Sequence, residues 1–191
     1  AAVLGAPIST VLMVFEALRD GVVEPDTKFR VSDDAWRRGG SASGGSTMFL
    51  NARSKVSVLD LLRGVVVQSG NDACIALAEG LAGSEDIFAE LMTEKARAIG
   101  MTNSTFHNAS GWPDPDHVTT ARDLAILAER TIRDFPEYYH YYSELTYKYN
   151  NIKPGNRNPL LYQNLGADGL KTGYIKASGY GLTASAKRND R

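Results

Sequence analysis

The stretch 58–82 constrains this chain more than any other, because it is two apolar helical runs with one polar break between them. Ser57 can cap the first run, in which Leu59, Leu61, Leu62 and Val65 form the apolar face. The pattern predicts a helix stopping near Gln68-Ser69-Gly70-Asn71, then a second helix restarting at Asp72 and ending around Gly83. Helices this apolar belong in a core, where polar side chains cost stability unless they find partners. The break is either a plain helix cap or a place where the fold holds polar groups for use.

The rest of the chain supports a core of that size. Residues 11–20 read as a buried helix closed by Gly21, and Ser84 opens another helix with acids in its first turn and Gly100 at its end. Thr120 caps a further helix. Residues 39–46 are rich in Gly and Ser and predict no fixed element, and 101–118 predict a long loop. Tyr138, Tyr139, Tyr141 and Tyr142 read as a packing wedge. Beyond Asp168-Gly169 the pattern turns strand-like over 170–175 and 180–187. Helices in the middle and strands late give an α+β class with an antiparallel sheet.

Hydrophobic content of 43% and a net charge of −1 are ordinary for a globular domain and give no general attraction to nucleic acid or anionic membrane. Cys74 is the single cysteine, which excludes an intramolecular disulfide and reads as a small core residue. His107, His117 and His140 lack metal-ligand spacing. No stretch is long and apolar enough to span a membrane, and no signal peptide is visible, so an exported protein would be read here in mature or trimmed form.

Two tripeptides carry candidate chemistry. Ser69-Gly70-Asn71 lies at the helix break, and Lys171-Thr172-Gly173 lies on the first late strand. Taken singly, they read as a helix cap and a solvated strand lysine. Together, in this order and about a hundred residues apart, they resemble the S-x-N and K-T-G elements of penicillin-recognising serine enzymes. The blocks FEALRDG, LLRGVVVQSGNDA, DPDHVTTARDLA, GNRNPLL and DGLKTGY, spread from Thr10 to the end of the chain, resemble the D-alanyl-D-alanine carboxypeptidases, the low-molecular-weight penicillin-binding proteins.

That resemblance implies a β-lactamase/transpeptidase-like fold: an antiparallel sheet packed with helices, plus a mostly helical subdomain at roughly 22–150. The whole of 1–191 would be a single catalytic domain lacking its first strands. It implies a serine enzyme that removes the terminal D-alanine from peptidoglycan stem pentapeptides through an acyl-enzyme, with β-lactams as acylating inhibitors and no cofactor. It further implies a periplasmic setting, no nucleic-acid partner, and membrane anchoring by a segment outside this chain. Ser69 would relay a proton to the leaving amine, and Asn71 would hold the site by hydrogen bonds. Lys171 would set a field favouring anions, Thr172 would bind the terminal carboxylate, Gly173 would let substrate lie along the strand, and the Tyr174 N–H would form half of an oxyanion hole.

The resemblance also implies an S-x-x-K nucleophile motif at the start of the first helix, and none stands there. Ser9 follows a proline by two residues, but Leu12 rather than lysine stands three positions on. Counting back from Gly21, about five residues are wanting after Pro7. The segment AAVLGAP (1–7) resembles the family's last strand, displaced to the front, and 187–190 read as a turn whose return strand is absent. Trp112 stands where the family has a smaller apolar residue, either at the rim of the site or over the core. Two other functions stay open: a catalytically inactive homologue that binds cell-wall peptides or partners, and a β-lactamase, which would need a deacylating carboxylate.

Overall fold

The computed structural model describes residues 2–189. Its centre is the helix pair read from the sequence, α3 (Val58–Gln68) and α4 (Asn71–Ala82). Ser57 caps α3 by accepting the Asp60 N–H, and Gly83 closes α4 in the left-handed region. Leu61, Leu62, Val65, Ile75 and Leu77 are all buried, each contributing about 1.5–3 kcal/mol by leaving water.

Helix α1 (Ala2–Arg19) packs on this pair and on two further helices, α5 (Glu85–Ala98) and α6 (Ala121–Asp134). Ser84 and Thr120 cap α5 and α6 as expected. A short helix α2 (Asp33–Gly39) lies against α4, so closely that a Cβ on Gly39 would stand 2.3 Å from the Asp72 nitrogen. Strands β1 (Lys28–Arg30) and β2 (Lys55–Ser57) pair antiparallel beside these helices. The chain ends in a second antiparallel pair, β3 (Ala167–Ile175) and β4 (Gly179–Ala186), in which Lys171 faces Thr183 and Gly173 faces Gly181. The class is α+β.

Three expectations need correction. The segment 1–7 is not a displaced strand: from Ala2 it forms the first turns of α1, an uninterrupted helix that runs through Pro7 and leaves no gap of five residues. A proline inside a helix removes one backbone bond and reads as a break. Here burial of Leu4, Ala6 and Ile8 overrides that signal. Within 39–46, Ser41–Ser43 form a 3₁₀ turn and Gly39 ends α2, because the Ser43 hydroxyl and the Gly40 carbonyl close a local ring. The second helix starts at Asn71, one residue earlier than read. Ala1, Asp190 and Arg191 lie outside the described residues, so the turn expected at 187–190 is described only to Asn189.

The tyrosine run forms a 3₁₀ turn, Tyr139–Ser143, that wedges Tyr142 and Tyr139 into the core. Tyr139 also ties the hairpin down, since its hydroxyl meets Ser185 Oγ at 2.5 Å and Ser185 donates to Asp168.

Candidate active site

The polar break takes its shape from backbone geometry. Ser69 caps α3 in the left-handed region (φ 57°), a conformation that disfavours side chains, and Gly70 then starts α4. The reversal turns the Ser69 hydroxyl and the Asn71 side chain into a cleft of about 1000 Å³. Strand β3 forms the facing wall with Lys171, Thr172, Gly173 and Tyr174. The two tripeptides therefore meet: the Lys171 ammonium contacts Ser69 Oγ and donates to the Thr172 carbonyl at 2.7 Å.

Lys171 is not a solvated strand lysine. It is 3% exposed. Burial, aided by the Arg157 cation, lowers its pKa to about 8. Cys74 is buried in the core, and burial pushes its thiol well up, as suits a small hydrophobe.

Residues the sequence reading did not single out complete the site. Asp72, fully buried, accepts from Thr47 Oγ1 at 2.8 Å and from the Met48 and Leu50 N–H groups, which fastens the 47–50 segment to the start of α4. The Asn71 N–H holds the Ser46 carbonyl, bringing Gly44, Gly45 and Ser46 over the cleft. Arg157 lines the cleft between two buried asparagines. Asn156 donates to the Glu144 carbonyl and Asn158 to the Gly169 carbonyl, so this alternation in GNRNPLL turns the guanidinium outward, where it donates to Ser46 Oγ at 2.5 Å. An N-R-N run with two inward asparagines was the available signal.

The 101–118 loop brings Ser110, Gly111 and Trp112 to the rim. It is pinned from behind: Glu85 accepts the Ala109 N–H, Thr10 donates to the Ala109 carbonyl, and Asp123 accepts from Asn103 and Ser104. Trp112 is 46% exposed, which puts it at the rim rather than over the core. The lining carries Arg157, Lys171 and Lys176 and, among the described residues, no carboxylate. A cationic cleft beside a strand edge left unpaired among the described residues suits an extended ligand with an anionic end.

The cleft-facing side of α1 is apolar. Pro7 lines the cleft, and Leu4, three residues earlier, packs its Cδ1 against Gly181 on β4. Ser9 is buried at 3% exposure and does not line the cleft. The i, i+3 pair at the start of α1, where S-x-x-K is expected, is therefore Leu4, buried against β4, and Pro7, on the lining.

Set against known proteins, the chain matches the family model for D-alanyl-D-alanine carboxypeptidases (Peptidase_S11) over residues 6–191. It belongs to that family. D-alanyl-D-alanine carboxypeptidase DacC of Escherichia coli is 44% identical over 185 residues, covering 96% of this chain and 46% of the relative. DacA of Haemophilus influenzae is 42% identical over 178 residues, covering 93% and 45%. Among solved structures, penicillin binding protein 5 of Haemophilus influenzae superposes with a TM-score of 0.92 at 39% identity, covering 97% of this chain and 54% of that one. Penicillin binding protein 6B of Escherichia coli gives 0.91 at 38%, covering 97% and 59%. The chain spans about half the length of the curated relatives it matches, and its fold is the penicillin-binding, transpeptidase-like one.

Proposed function

We propose that this cleft serves a serine-type D-alanyl-D-alanine carboxypeptidase in the cell envelope, trimming the terminal D-alanine from peptidoglycan stems through an acyl-enzyme. The observation that carries the reading is the meeting of Ser69, Asn71 and Lys171 in one cationic cleft. In this reading the substrate lies along β3 as an added strand, which Gly173 admits. Its carboxylate is held by the Thr172 hydroxyl in the field of Lys171 and Arg157. The Tyr174 N–H stabilises the oxyanion, a contribution of about 3 to 4 kcal/mol for one such donor. Asn71 holds the substrate amide, and the Ser69–Lys171 pair returns a proton to the leaving amine. The helical body at 22–150 frames the cleft as a subdomain, and anchoring to the membrane falls to a segment outside this chain. β-Lactams enter as acylating mimics of the D-alanyl-D-alanine end. A related Listeria monocytogenes protein, Penicillin-Binding Protein D2, was solved in an ampicillin-bound form.

A second reading, a homologue that binds peptides without acylation, is favoured by the start of α1, where Pro7 lines the cleft and Leu4 lies buried against Gly181. The β-lactamase reading finds no deacylating carboxylate on the lining among the described residues. Fluorescent penicillin and a stem pentapeptide, each incubated with the full-length protein, separate these readings. Covalent labelling with release of D-alanine is the expected result. Peptide bound with neither label nor release selects the second reading, and no binding of either ligand overturns both.

A further inference from the structure

We propose that in this chain Ser69 is itself the nucleophile, with Lys171 as its general base, for acyl transfer from a D-alanyl-D-alanine terminus or a β-lactam. The proposal rests on reading the cleft as a D-alanyl-D-alanine site and goes beyond it by assigning the attacking atom. The aliphatic hydroxyl residues on the lining are Ser46, Ser69, Ser110 and Thr172. Ser69 is the one in contact with an amine; the Ser46 hydroxyl is held by a guanidinium, which cannot take a proton. A serine hydroxyl is a poor nucleophile until an adjacent base removes its proton, and a desolvated lysine is such a base. Lys171 is buried, it is joined to the Ser69 Oγ, and the αL backbone at Ser69 aims that oxygen at the cleft. Its pKa near 8 leaves a usable fraction of neutral amine at physiological pH.

The step balances within these two residues. Ser69 Oγ bonds to the carbonyl carbon of the penultimate D-alanine as its proton passes to the neutral Lys171 amine. The tetrahedral adduct collapses, the C–N bond breaks, and the departing amine of the terminal D-alanine takes the proton back from the Lys171 ammonium. Water then attacks the ester, Lys171 again carrying the proton, and Ser69 is regenerated. The Asn71 amide, at the first position of α4, lines the same space and can steady the oxyanion beside the Tyr174 N–H. Thr172 and Arg157 hold the carboxylate while Lys171 acts as a neutral base, and the Lys171 charge strengthens that hold only in the fraction of molecules whose amine is protonated.

The groups facing Lys171 are the Cys74 thiol on α4 and the Arg157 guanidinium ahead of the 3₁₀ turn Pro159–Tyr162. Burial keeps Cys74 protonated, so the pH profile belongs to Lys171. Acylation should rise about tenfold between pH 7 and pH 9.

The test is mass spectrometry of the full-length protein after incubation with benzylpenicillin, with peptide mapping of the adduct. A parallel measurement follows D-alanyl-D-alanine pentapeptide binding by isothermal titration calorimetry. An adduct on the peptide carrying Ser69, lost by at least about 100-fold in Ser69→Ala while the melting curve stays intact, is the expected result. An adduct on any other residue overturns the proposal and leaves the carboxypeptidase reading standing. Peptide bound with no adduct overturns it too, in favour of the binding homologue. Neither adduct nor binding overturns both.

Discussion

Lys171 shows most plainly what a single residue does here. Its ammonium is buried against a hydroxyl and a carbonyl rather than a carboxylate, an arrangement that favours chemistry over stability. Because its pKa in the fold lies near 8 and its ordinary value is 10.5, the unfolded chain holds a proton between those pH values that the folded chain has released. Unfolding then takes up protons, so the Lys171 contribution to stability improves as pH rises from about 8 to 10.5, and its cost is present in full below 8. Lys171→Met should raise stability at pH 7 by about 1–3 kcal/mol while abolishing acylation. The gain over the parent should shrink as pH climbs through that window, as read by paired denaturant titrations. Asp72 works in the opposite sense. Its carboxylate satisfies a hydroxyl and several backbone N–H groups, and so turns the first residue after the S-x-N element into the anchor of the cleft wall.

At the scale of elements, α1 decides which chemistry is available. The helix meets β3 and β4 along the side that carries Leu4 and Pro7. Positions three apart on one helix face are neighbours, the geometry an S-x-x-K pair requires. Leu4→Ser with Pro7→Lys places a hydroxyl and an amine at those neighbouring positions and restores a backbone donor to the helix. The double variant should label with penicillin at least about tenfold faster than the parent, and the adduct should map to position 4 rather than to Ser69. An unchanged rate would mean that the α1 face does not reach the acyl carbon. The β3–β4 hairpin shows the complementary dependence. Two strands alone are marginal, and this pair is held by α1, by Asn158 on the Gly169 carbonyl, and by Tyr139 through Ser185.

Across the whole molecule, a net charge of −1 coexists with a cleft of three cations and no described carboxylate. Field focused by low-dielectric walls attracts an anionic peptide end despite the near-neutral surface. Pentapeptide binding should therefore weaken with added salt, and weaken further as pH rises through about 8, when Lys171 loses its charge. That trend runs opposite to the predicted rise in acylation, so binding and labelling measured on the same samples separate recognition from nucleophile activation. Affinity that stays flat from pH 7 to pH 9 would place the carboxylate on Arg157 and Thr172 alone.

Much of this was legible in the residues themselves. Local capping chemistry gave the helix starts at Ser57, Ser84 and Thr120, because a cap is a contact within three residues of itself. Hydrophobic period gave α3, α4 and the late hairpin, and the order of the S-x-N and K-T-G elements gave the family. The first turns of α1 were not legible, since a short apolar segment ending in a proline resembles a strand until Leu4, Ala6 and Ile8 find a core to enter. Nor could any local pattern reveal that Lys171 is buried against Ser69, that Arg157 faces the cleft, or that Asp72 holds the 47–50 segment. Those facts depend on residues some 22 to 111 positions apart being brought together. Only the packed molecule sets the burial and the neighbours that make a lysine a base.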